Sequence, residues 1–175
     1  DKVATELHGR VRYDDKVFNE RLMFVETDFL KMLTFPLREG DVEALADPGK
    51  IIISAKVAEK YFGNNAAVGE QVSVKFKEDR IETFIVGGVA EEFPRKRSFG
   101  FSVLMPFERQ FDLGLKDPQT QHDWKYFTGA TMMQLQDPAQ LPSIAEGMEK
   151  YRLLQNEASQ NWPIESFVFD NLLNL

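Results

Sequence analysis

Apolar and polar residues change period several times along the chain, and each change predicts an element. Residues 17–25 are rich in β-formers and predict a strand that ends at Glu26-Thr27-Asp28, where Thr27 or Asp28 can cap a short helix over 29–33. Phe29, Leu30, Leu33 and Phe35 make a compact apolar cluster that stops at Pro36. Ile51, Ile52 and Ile53 are apolar on both faces of a strand, so that strand belongs in an interior. Ser54 follows as an N-cap, and Val57, Ala58, Tyr61 and Phe62 recur at three- and four-residue spacing, with Lys56, Glu59 and Lys60 on the wet side. Gly63 supplies the left-handed stop that a residue with a Cβ resists.

From Gln71 the period falls to two. Val72, Val74 and Phe76 alternate with Gln71, Ser73 and Lys75, and the polar residues 77–80 join this half-buried strand to a second one over 81–89 as a hairpin. Gly87-Gly88 ends or bulges the second strand. An irregular loop over 93–98 precedes a strand over 101–105, and Pro106 opens a short helical turn carrying Phe107 and Phe111. The polar stretch 114–128 reads as a long connection, and 130–135 resumes strand character. Leu141, Ile144, Ala145, Met148, Tyr151 and Leu154 predict one amphipathic helix despite Gly147, which costs about 1 kcal/mol against alanine. A final strand is expected over 164–169. The sum is α+β, with strands and helices intermixed and no regular βα repeat.

Composition then narrows the chemistry. A chain of 175 residues suffices for one domain with a real core or for two small lobes. Apolar content of 43% argues against disorder, and a formal charge of −7 argues against a nucleic-acid groove or an anionic-lipid surface. The absence of cysteine removes disulfides, thiol catalysis and thiolate metal sites. No apolar run approaches the roughly 18 residues of a membrane span, so the sequence reads as soluble, and its start at Asp1 suggests a piece of something larger.

Most catalytic templates fail. His8 and His122 have neither zinc-helix spacing nor neighbouring ligands, Ser102 in Gly100-Phe101-Ser102-Val103-Leu104 lacks the closing glycine of a nucleophile elbow, and no phosphate-binding loop follows any glycine. Glu78-Asp79 and Glu91-Glu92 could supply an acid and a base to a hydrolase, but adjacent acids on loops are usually solvated turn residues. Arg95-Lys96-Arg97 reads either as a solvated loop or as a basic contact for an acidic partner. The 15 phenylalanines mostly read as core. Phe93, Phe99 and Phe101 around one loop could instead form an exposed contact, and with Pro94, Arg95, Lys96, Arg97 and Ser98 they are the candidate partner-contact residues.

An ordered set of short matches carries a family resemblance: Asp28-Phe29, Phe35-Pro36-Leu37, Gly40-Asp41, Ala44-Leu45, Pro48, Ile52-Ile53-Ser54, Ala58, Lys60-Tyr61-Phe62-Gly63, Val68-Gly69, Val86-Gly87-Gly88-Val89, Phe93-Pro94 and Ser98. In this order they resemble the MacB-like periplasmic core domain of FtsX-type ABC transporter permeases, in particular the Bacteroidetes type. The resemblance is strongest over 17–107. Ala55 stands where the family pattern has glutamate, and Arg95-Lys96-Arg97 is more basic than the pattern.

The resemblance implies a two-lobed extracytoplasmic domain between two membrane helices, on the periplasmic face of the inner membrane. Its Porter-like lobe would comprise residues 1–44 and 125–175, with an inserted small α/β, Sabre-like lobe over 45–124. Whether part of the Porter-like lobe lies upstream of Val3 stays open. It further implies no enzyme activity and no cofactor on this chain, with ATP hydrolysis on a separate cytoplasmic ATPase. The implied partners are that ATPase, a second permease subunit, and a periplasmic or outer-membrane protein. The domain would relay ATP-driven motion to a periplasmic substrate or partner, with Gly40-Asp41 and 114–128 as hinges. The alternative is a free-standing periplasmic module that captures a ligand or protein between its lobes.

Overall fold

A computed structural model describes residues 2–91, 100–121, 123–124 and 130–171. Strand β1 (Lys2–Tyr13) runs antiparallel to β2 (Lys16–Val25), in register from Glu6 opposite Met23 to Tyr13 opposite Lys16. The hairpin turns at Asp14, whose positive φ of 51° suits a residue that tolerates the left-handed region. Helix α1 (Phe29–Met32) and strand β3 (Leu37–Gly40) follow, then β4 (Lys50–Ser54), α2 (Ala55–Phe62), β5 (Gln71–Lys75), β6 (Ile81–Ala90), β7 (Val103–Pro106) and α3 (Arg109–Asp112).

Six of these strands close a ring. β1 pairs with β2, β2 with β7, β7 with β4, β4 with β6, β6 with β5, and β5 returns to β1 through Val11 opposite Val74. The β2–β7 and β4–β6 pairs are parallel and the rest of the ring is antiparallel. β3 extends the edge of β6, and β8 (Ala130–Thr131) adds to β1.

Strand alternation sorts the apolar side chains into two clusters, because successive residues point to opposite faces. Val11, Leu22, Ile51, Val74, Phe84 and Val103, one from each strand of the ring, share a single buried cluster, so that face is the interior. Their neighbours Met23, Val25, Ile52, Leu104 and Ala90 face outward, where Phe29 and Leu30 of α1, Phe35 and Leu45 cover them. The apolar stripe of α2 joins the interior cluster at the hairpin end, where Phe62 lies 4.3 Å from Tyr13 and Tyr61 5.3 Å edge-on to Phe18, centroid to centroid. Ser54 caps the helix by accepting the Val57 N–H at 3.3 Å, and Gly63 ends it at φ 64°, as its sequence predicts.

Several expectations need correction. Asp28 precedes α1 without a side-chain capping bond. Of the two readings of Gly87-Gly88 the bulge holds and the strand end does not: Ile51 pairs with Val86 and Ile52 with Gly88, leaving Gly87 as the extra residue, and the strand continues to Ala90. The helix expected over 141–154 is two, α4 (Leu141–Gly147) and α5 (Glu149–Ala158), with the Met148 N–H shared between the carbonyls of Ile144 and Ala145. The strand expected over 164–169 is absent from the described residues: Asn156 takes both backbone groups of Ile164, accepting its N–H at 2.8 Å and donating to its carbonyl at 3.0 Å. Its local pairing replaces a ladder.

The chain divides into two units, Asp1–Leu115 with Thr128–Met132, and Lys116–Phe127 with Met133–Leu175. The first holds the ring; the second holds α4, α5 and the segment after them, with Trp124 stacked 5.7 Å from Tyr151. Mixed α and β content is thus as expected. Strands on both sides of residue 44 belong to the same ring.

Candidate functional site

Of the predicted contact residues, Phe93, Pro94, Arg95, Lys96, Arg97, Ser98 and Phe99 lie outside the described residues. Phe101 is described, and it packs against the outer apolar cluster, 5.6 Å and edge-on to Phe35. Its ring supports the layer beneath α1. Ser102 uses its backbone to extend the ladder, its N–H donating to the Arg21 carbonyl at 3.1 Å and its carbonyl accepting the Ser54 N–H at 2.9 Å.

Of the carboxylates weighed for hydrolysis, the Glu78 side chain lies outside the described ones, and Asp79 and Glu91 are engaged at separate places. Asp79 sits in the turn after β5 and pairs with Lys75 at 2.6 Å, which holds its carboxyl below the usual range through that hydrogen bond and charge. Glu91 instead receives Arg38, whose Nε lies 2.9 Å and Nη2 3.3 Å from its two oxygens. His8 is exposed on β1, His122 and Glu92 lie outside the described residues, and no metal-competent group of side chains occurs among the described ones.

A groove of about 520 Å³ opens beside β3 and the end of α2, lined by Arg38, Glu59, Asn64, Asn65, Ala67 and Val89 among others. Arg38 also donates to Glu59 at 3.2 Å, and the two carboxylates, Glu91 first, push its pKa further above its ordinary value. A guanidinium already held by two carboxylates is a poor receptor for a ligand's phosphate or carboxylate. The ligand-capturing alternative therefore gains little from this groove.

A buried polar cluster lies where α2 meets the hairpin. The Lys60 ammonium donates to Glu20 at 2.7 Å while standing 3.9 Å over the Phe18 ring. The Tyr61 hydroxyl lies 3.1 Å from the Val11 carbonyl and 3.3 Å from the same Glu20 oxygen, and having one proton it donates to one of them at a time. Lys16 donates to the Tyr61 carbonyl. Glu20 takes an inward position between Phe18 and Leu22 in the alternation of β2, and that polar residue on an apolar face was the sequence signal for the cluster.

Burial, and then the Glu20 charge, push the Tyr61 phenol well above its ordinary range, so it stays protonated and structural. A folded-state pKa above the unfolded value means that its contribution to stability is complete below about pH 10 and is lost as pH rises above that. Stability should fall by up to roughly 1.4 kcal/mol per pH unit from this group above pH ~10, and Tyr61→Phe should flatten that slope. Denaturant melts at stepped alkaline pH decide it; equal slopes in both proteins would remove Tyr61 as the cause.

A family model described as "MacB-like periplasmic core domain" matches residues 1–151. No curated protein matches the chain. Among solved structures it is similar to a domain of a putative permease protein from Porphyromonas gingivalis, at 19% identity and TM-score 0.67, over 99% of this chain and 79% of that one. The extracellular domain of the noncanonic ABC-type transporter YknZ from Gram-positive bacteria aligns at 18% identity and TM-score 0.63, over 93% and 76%. The periplasmic region of MacB from Actinobacillus actinomycetemcomitans aligns at 12% identity and TM-score 0.54, over 85% and 65%.

Proposed function

The chain belongs to the family of MacB-like periplasmic core domains of ABC transporter permeases, and from that premise we propose that it relays ATP-driven motion to a periplasmic substrate or partner. Domains of this family are not catalytic, and among the described residues no helix is long and apolar enough to cross a membrane. ATP would be hydrolysed by a cytoplasmic ATPase that pairs with the parent permease, and two permease subunits would carry two copies of this domain. Its place would be the periplasmic face of the inner membrane.

The observation that carries the relay reading is the closed ring with one continuous interior cluster. Closure removes free edges from six strands, and close-packed interiors transmit displacement instead of absorbing it. A body built this way moves as a whole about its connections. Gly40-Asp41 does not serve as a hinge in this scheme, because Gly40 is paired with Gly88 and Asp41 caps the turn Val42–Ala46 by accepting the Glu43 N–H at 2.9 Å. The hinge proposal rests on 114–128 alone.

Spin labels on Asn19 and Thr83 of one ring should hold a constant separation during turnover, while labels at Asn19 of two paired subunits should change separation on ATP binding. Pulsed electron resonance on the full permease with its ATPase measures both. An inter-subunit distance indifferent to nucleotide would end the relay reading.

A further inference from the structure

The outer face of the ring is covered by α1 and its neighbours over β7, β4 and the last residues of β2 and β6, but it is open over His8, Arg10 and Arg12 of β1, over β5, and over the hairpin-side halves of β2 and β6. Alternation places Arg10 and Arg12 of β1 on that open face, since Val11 between them is buried. Register then sets Arg10 directly opposite Lys75 of β5, and Arg12 opposite Ser73. Like charges directly opposite destabilise an antiparallel pair, so folding alone gives no reason for this arrangement. Asp79 offsets part of it by pairing with Lys75. Among the described residues neither Arg10 nor Arg12 has a carboxylate within ion-pair distance, although the Asp79 charge also reaches Arg10.

Apolar side chains stand on the same face. Ile81 lies opposite Lys75 on β6 and is 61% exposed, Ile85 lies opposite Gln71, and Val17 lies opposite Arg12 on β2 and is 46% exposed. An exposed apolar residue alone means little, but β-branched residues interleaved with cations on one paired stretch of sheet have the composition of a contact surface. The chain as a whole carries a formal net charge of −7, so these cations stand out as a local positive field on an acidic body.

We propose that this face of β1 and β5, with Arg10, Arg12 and Lys75 set among Val17, Ile81 and Ile85, docks a carboxylate-rich strand or loop of another protein. A second copy meeting through the same face would set cations against cations. An anionic bilayer is disfavoured as well, because lipid-reading clusters hold about four to eight cations and the net charge of this chain opposes approach. A peptide presenting alternate acidic and apolar side chains matches both the charge and the spacing of the face. This inference is independent of the relay reading, since it concerns equilibrium binding to this chain without nucleotide.

The test is fluorescence anisotropy with a labelled peptide alternating glutamate and valine, at low ionic strength. Saturable binding is expected, weakening as salt is raised. The double variant Arg10→Glu/Arg12→Glu should raise Kd by about tenfold or more, without lowering the thermal midpoint, because reversal relieves the repulsion of Lys75. Arg10→Lys/Arg12→Lys and the charge reversal Lys150→Glu in α5 should keep the affinity. The proposal is overturned if wild type fails to bind, if the double-reversal variant binds equally well, or if a matching lysine–valine peptide binds equally well. Phosphatidylglycerol vesicles bound with the same sensitivity, in place of the peptide, would reassign the face to lipid and overturn it too.

Discussion

Gly40→Ala is expected to lower stability by about 4 kcal/mol and the thermal midpoint by about 10 °C, since both strain and collision act at that position. Its φ is +90°, which side-chain-bearing residues rarely adopt, and an added Cβ would lie 2.3 Å from the Gly87 carbonyl oxygen and 2.4 Å from the Gly88 Cα. Both are backbone atoms, so no rotamer change can make room. The matched comparison is Gly63→Ala, where φ is +64° and ψ −117° but nothing lies within 4 Å of the new methyl, leaving only conformational strain of roughly 1–3 kcal/mol. Urea titration of the two variants separates collision from strain. Equal losses would mean that the β3–β6 contact yields freely and that the glycine triad does not fix the outer layer.

The same glycines show what a sequence reveals about this fold. Gly63, Ser54 and the stripe Val57, Ala58, Tyr61 and Phe62 act through their own helix, so their pattern predicts the observed element nearly residue for residue. Gly87-Gly88 could be read as a bulge, but the reason for two glycines lies outside the strand: Gly40 crosses over them, and Ala44 Cβ stands 2.5 Å from where a Cβ on Gly87 would be. Ring closure was illegible for a related reason. β2–β7 and β4–β6 are parallel pairs between distant segments, and parallel neighbours require crossovers with no turn motif to mark them.

β1 escaped notice although it is the longest strand, because its outward positions His8, Arg10 and Arg12 and the interior Gly9 dilute its β-forming character. The basic face escaped with it. A cation in one strand becomes part of a patch only when register places it opposite another, as Arg10 lies opposite Lys75. Loop residues near Phe93 stood out in the sequence because their charges are consecutive, whereas those of the sheet are dispersed over some 65 positions of chain.

Lys60→Met is expected to cost more than Glu20→Gln, about 3–5 kcal/mol against roughly 1–2, although the two changes break the same ion pair. The asymmetry comes from where each survivor is left. The Glu20 side chain is only 6% exposed, so without Lys60 its charge stays buried with Tyr61 as its remaining side-chain donor. The Lys60 side chain is 39% exposed, so without a charged partner its ammonium can turn into water and give up little beyond its approach to Phe18. Replacing both, with Glu20→Leu and Lys60→Met, should recover most of the larger loss, because an apolar pair removes the orphaned carboxylate. Chemical denaturation of the three variants in one double-mutant cycle gives the order directly. If Glu20→Gln proved the costlier single change, the ammonium would be the group confined by the fold. The clamp holding α2 to the hairpin would then have to be assigned to Lys60 over Phe18 and not to the carboxylate inside the ring.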